Sequence, residues 1–259
     1  MKLHIVPASR GIQWVKLGMQ TFFRQPLALS GLFFMFLAVT SVLSVVPYVG
    51  ILLALGLLPG ASLGLMAATR EASDGRFPMP WILLSAFRAG RVQLRAMLVL
   101  GALYALGIVF ILGCTAVIDG GNFATLTLFG SALPAETLQD VNFRMAMLSF
   151  SLLNLPLSLL FFHAAALVYW HEVPPVKGLF FAVAGMVRNF RAYAVFGLVW
   201  MGVFICFGII MRMLAALVGS VQEVPILFYP AALLMTATVF TSIYFTFLDS
   251  FTITPGAET

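Results

Sequence analysis

Charge is what this sequence has least of. Of its 259 residues only 9% are Asp, Glu, Lys or Arg, where a soluble domain carries about a quarter. Apolar residues make up 62%, more than a core of this size can bury, so an ordinary water-soluble enzyme is excluded and lipid must cover much of the surface. Cysteine is almost missing as well. Cys114 and Cys206 both lie inside apolar runs without CxxC or Cys/His spacing, so neither a disulfide framework nor a metal site is expected. There is no GxxxxGK[ST] loop, no GxSxG elbow and no GxGxxG turn after a strand, and His171-Glu172 lacks the second histidine of an HExxH helix. These absences predict a non-enzyme that holds no metal and no cofactor. No apolar run begins before Leu27 and no small-x-small cleavage pattern follows one, so a signal peptide is not expected.

What is present is a series of long apolar runs. A helix needs about 20 mainly apolar residues to cross a hydrocarbon core of about 30 Å. Residues 27–46, 49–68, 96–118, 146–170, 194–219 and 226–248 meet that length. The fold class is therefore all-α integral membrane, with six transmembrane helices in a single transmembrane domain over residues 1–259. Pro47 and Tyr48 alone separate the first two runs, and proline's fixed φ and missing N–H predict a helical hairpin there.

The sparse charge is distributed unevenly. With the N-terminus inside, the inner segments hold Lys2, Arg10, Lys16, Arg24, Arg70, Arg76, Arg88, Arg91, Arg95, Lys177, Arg188 and Arg191, which is 12 of the 14 Lys and Arg. The outer segment 119–143 holds Asp119, Glu136 and Asp140 and no cation. The positive-inside rule then puts both termini on the cytoplasmic side. The net charge of +5 belongs to this pattern and to anionic headgroups, with no nucleic acid as partner.

A weak repeat runs through the chain. Residues 92–101 read VQLRAMLVLG and residues 188–197 read RNFRAYAVFG, with RQPLALSG at 24–31 as a fainter copy. Pro59, Pro156 and Pro230 fall near the outer ends of the even spans. The expected architecture is three two-span repeats, each preceded by a cytoplasmic amphipathic helix. In the first such stretch Gln13, Lys16, Gln20 and Arg24 lie on one face and Ile12, Val15, Met19 and Phe22 on another, a pattern that would lie in the headgroup plane. In residues 81–95, Arg88, Arg91 and Arg95 accompany Trp81, Leu84 and Phe87. In residues 177–191, Phe180, Val183, Val187 and Phe190 oppose Lys177, Ala184, Arg188 and Arg191.

The cations Arg88, Arg91, Arg95, Lys177, Arg188 and Arg191 are the candidate groups for binding lipid headgroups or a partner. Ionisable groups inside the hydrocarbon form the second set of candidates. Arg212 can snorkel outward along its stem, or pair with Glu223 or an acid of the Asp119 to Asp140 segment. His163 lies mid-span with Asn154 nearby, and hydrogen bonding across the bundle is the expected role of both. Gly56, Gly60 and Gly64 have GxxxG spacing, which favours close helix packing within the bundle or between copies in a homo-oligomer.

VPASRGIQWVK at 6–16, RQPLAL at 24–29, LPGASLGLMAATR at 58–70 and GRFPMP at 75–80 resemble a family of uncharacterised proteobacterial multi-span inner-membrane proteins. That resemblance implies an inner-membrane location and carries no functional residues across. The two-spans-times-three plan is also similar in outline to mitochondrial carriers, but their Pro-x-[Asp/Glu]-x-x-[Lys/Arg] signature is absent. Two function classes follow: a non-catalytic protein that organises anionic lipid or a membrane-protein partner, or a transporter for a small solute or lipid with a polar path at mid-membrane.

Overall fold

A backbone in lipid must satisfy its own polar groups, which leaves helices as the solution for isolated apolar runs. The computed structural model describes residues 2–46, 49–218 and 224–252. A short helix α1 (Arg10–Arg24) leads into α2 (Pro26–Ser44) and α3 (Val49–Ser73). A 3-10 turn (Pro80–Leu84) and α4 (Ser85–Arg88) precede α5 (Arg91–Asp119). Two short helices, α6 (Asn122–Phe129) and α7 (Ala135–Gln139), come before α8 (Val141–Trp170). Then follow α9 (Pro175–Arg188), α10 (Phe190–Val218) and α11 (Val224–Ser250). Strands β1 (Lys2–Leu3) and β2 (Phe251–Thr252) pair antiparallel, Leu3 facing Phe251. Among the described residues, helices α2, α3, α5, α8, α10 and α11 are the six long and apolar enough to cross a membrane. The expected break at Pro47 and Tyr48 lies outside the described residues.

The spans overrun the apolar runs from which they were read, because a helix continues into the headgroup layer once started. Helix α5 begins at Arg91 and α8 at Val141, each more than a turn ahead of its apolar core. Pro156 therefore sits at the middle of its helix, while Pro59 and Pro230 lie in the first halves of α3 and α11. Phe110 is 73% and Val117 87% exposed, an arrangement only an apolar solvent makes favourable.

The described chain gathers into two compact units. The first comprises Met1–Phe34, Gly64–Leu83 and Val183–Thr259. Its centre is α1, whose Gly11, Trp14, Val15, Gly18, Thr21 and Phe22 are buried against α10 and α11. Two glycines make the approach possible: a Cβ on Gly18 would come within 2.7 Å of Ser242 Cα, and one on Gly11 within 2.7 Å of Phe196 N. Between them Trp14 packs on Tyr193 and Phe196 and donates its indole N–H to Asp249 Oδ2 at 2.7 Å. The same carboxylate oxygen pairs with Arg10 Nε at 3.1 Å. This corrects the reading of α1 as a helix whose apolar face meets lipid. Val15 and Phe22 point into protein, Ile12 is exposed, and the packing face is centred on Trp14 and its glycine notches.

The second unit comprises Met35–Leu63 and Leu84–Ala182. Its main contact is α5 on α8, joined by a hydrogen bond between Tyr104 Oη and Ser158 Oγ at 3.2 Å and by the Tyr104–Phe161 ring pair. Gly56 and Gly101 bring the backbones of α3 and α5 together, since a Cβ on Gly101 would lie 2.8 Å from the Gly56 carbonyl carbon. The outer segment 119–143 contains α6, α7 and the start of α8. Asp119 starts α6: its carboxylate accepts the N–H groups of Gly121 at 2.9 Å and Phe123 at 2.6 Å, which satisfies donors a helix start leaves open. That carboxylate serves a cap and is 7% exposed, which argues against its offered role as an ion-pair partner for Arg212.

Candidate membrane-surface site

Helix α9 is the part of the chain built most plainly for an interface. Glu172 has φ 54°, a left-handed conformation that ends α8 and redirects the chain. His171 caps that helix through its N–H to Leu167 O at 3.0 Å, and burial holds its imidazole below the usual histidine range. Pro175, at the first helical position, suits the start of α9. The helix then divides into three faces. Gly178, Ala182 and Gly185 are buried, with Gly178 seated against Ala164 and Val168 and Gly185 against the Phe251 ring. Val176, Phe180, Val183 and Val187 form an exposed ridge, Phe180 at 68% and Val187 at 69%. Lys177 and Arg188 are exposed about a quarter turn from that ridge.

The expected surface stretches 81–95 and 177–191 are each broken. Gly90, at φ 113°, ends the turn containing Arg88, so Arg91 and Arg95 belong to the first two turns of α5. Asn189 ends α9, so Arg191 belongs to α10. All six candidate cations, Arg88, Arg91, Arg95, Lys177, Arg188 and Arg191, are exposed. Among the described residues, ion pairs join Arg10 to Asp249 and Arg76 to Asp74, and none of the six takes part in one.

Two of the intramembrane candidates, His163 and Asn154, do not converge. His163 and Asn154 share α8 but point half a turn apart, because nine residues at about 100° each leave them on opposite sides. His163 is fully buried, and its Nδ1 lies 2.7 Å from Leu159 O, where only an N–H on that nitrogen can donate. Asn154 Oδ1 accepts from Ser158 Oγ at 3.4 Å, extending the hydrogen bond to Tyr104 into a short chain that ties α8 to α5. Arg212 is exposed on α10 and makes no ion pair among the described residues. Its other suggested partner, Glu223, lies outside them.

Two polar residues with strong structural roles escaped the sequence reading. Asn189, 1% exposed, accepts the Val6 N–H at 2.9 Å and donates to His4 O at 2.8 Å, clasping the N-terminal segment. Asp249 gathers Trp14 and Arg10. Asn189 sits between Arg188 and an apolar run, and an amide at the junction of two helices was the available signal.

The chain is 35% identical to a "probable inner membrane protein" of Burkholderia thailandensis, over 99% of this chain and 97% of that relative. No family model and no solved structure matches it.

Proposed function

Since the chain belongs to the family of proteobacterial inner-membrane proteins that includes this Burkholderia relative, we propose that it organises anionic lipid at the inner surface of that membrane, with both termini in the cytoplasm and no catalytic step. The observation that carries this reading is α9. At 14 residues it is too short to span, yet it exposes Phe180, Val183 and Val187 beside Lys177 and Arg188. An apolar ridge flanked by cations suits a helix lying at the boundary of headgroups and acyl chains. Arg88, Arg91, Arg95 and Arg191 add exposed positive charge and make no ion pair among the described residues. Each cation near an anionic surface contributes about 1 kcal/mol and is screened over a Debye length, so the interaction weakens steeply with salt.

The test is retention of phosphatidylglycerol by purified protein through detergent exchange. Wild type should keep it at low salt and lose it as salt rises. Changing Arg88, Arg91 and Arg95 to Gln, or Lys177, Arg188 and Arg191 to Gln, should each lower retention. Unchanged retention in both variants, with solute flux into vesicles that disappears in His163→Ala, would replace this reading by the transporter.

A further inference from the structure

The second unit holds an apolar groove of about 620 Å³ between α3 and α5, with Leu43 of α2 also on its lining. Its walls are Val49, Leu52, Leu53 and Leu57 on one side and Leu98, Leu106 and Val109 on the other, over a floor of Gly56, Ala102 and Ala105. The α5 side follows a single stripe, because Leu98, Ala102, Ala105 and Val109 are spaced by three or four residues. Continued toward the start of the helix, that same stripe contains Arg95 and Arg91. Both arginines are exposed, and neither makes an ion pair among the described residues.

We propose that this groove binds one anionic phospholipid, an acyl chain lying between Leu98 and Val109 and the phosphate held by Arg91 and Arg95. The inference rests on the reading that the basic surface meets anionic lipid, and deepens it by naming a discrete site. The polarity of the groove selects the occupant. From Leu98 to Val109 the helix rises roughly 16 Å without a polar wall residue, and the cations stand at one end only. That is the layout of an amphiphile with a charged head and a long apolar tail. A transmembrane helix from a second copy would fill the groove but leave the two cations unanswered.

Native mass spectrometry of the full chain, taken from vesicles with equal phosphatidylglycerol and phosphatidylcholine, tests the site. Wild type should carry one tightly held lipid and prefer phosphatidylglycerol. Arg91→Gln with Arg95→Gln, both at exposed positions, should cut that preference about thirtyfold while a lipid of either head remains. Ala102→Phe with Ala105→Phe should lose the bound lipid whatever its head, with a thermal unfolding scan checking that the variant is folded. Equal binding of both lipids by wild type, which needs no variant, would overturn the proposal. So would full lipid retention in the folded Ala102→Phe/Ala105→Phe protein, or a lipid-free dimer that this pair of changes dissociates. The Lys177→Gln/Arg188→Gln/Arg191→Gln variant separates the two readings. If it loses phosphatidylglycerol and the groove-filled variant does not, the groove is wrong and the surface reading stands. If phosphatidylglycerol retention is unchanged in all three variants, both are wrong.

Discussion

Asn189 offers both ends of its amide to the N-terminal segment, so removing it strands two backbone groups at once. Asn189→Ala should cost about 1–3 kcal/mol and expose the Val6 amide to rapid hydrogen exchange, whereas Asn189→Asp keeps the acceptor for Val6 but sets a buried carboxylate oxygen against His4 O, and should destabilise as well. Glu172 poses the opposite case. A side chain at φ 54° bears a conformational cost that glycine does not, and Glu172→Gly should raise stability by up to about 1 kcal/mol, read as a higher midpoint of unfolding. Neither role was legible in the sequence. Asn189 differs from any polar junction residue only in what folds back onto it, and Glu172 resembled a fragment of a metal motif because its φ leaves no trace in residue type. The exposed arginines were legible for the converse reason: an unpaired guanidinium is costly to bury, so its exposure follows from its chemistry.

Helices of 20 or more apolar residues announce themselves, because lipid permits few other solutions. All six spans could therefore be read from apolar length, with errors confined to their ends. The short helices were harder. In α1 the true packing face holds Gly11 and Gly18, which carry no hydrophobic signal and act by letting α10 and α11 approach. Helices α6 and α7, of eight and five residues, are too short to carry a readable period, and Asp119 starts the first of them through two backbone N–H groups. The glycine argument is testable within one protein. Gly18→Leu should drive a side chain into Ser242 of α11 and destabilise by about 1–3 kcal/mol. Gly31→Ala, which meets nothing within 4 Å, should be neutral or mildly stabilising, and the two unfolding midpoints compare them directly.

For the molecule as a whole, the asymmetry of charge is the quantity to test. Reporter fusions after Arg95 and after Thr259 should read cytoplasmic and one near Gly130 periplasmic, since 12 of the 14 Lys and Arg fall on one side of a six-span chain; a cytoplasmic signal at Gly130 would overturn that topology. The clasp of Trp14 on Asp249 bears on how such a chain is made. The two residues are 235 positions apart, and a ribosome adding about 5–20 residues per second needs roughly 10–50 s to cover that interval. Throughout that time α1 has left the ribosome while the last span, which is to receive it, has not been synthesised. Its Trp14 face then has no protein to pack on, and a helix with Lys16 on its opposite side can wait on the lipid surface. The amphipathic pattern of α1 is thus suited to two successive partners, lipid during synthesis and α10 with α11 afterwards. Translation halted before α11 would leave Trp14 and Arg10 without their shared acid.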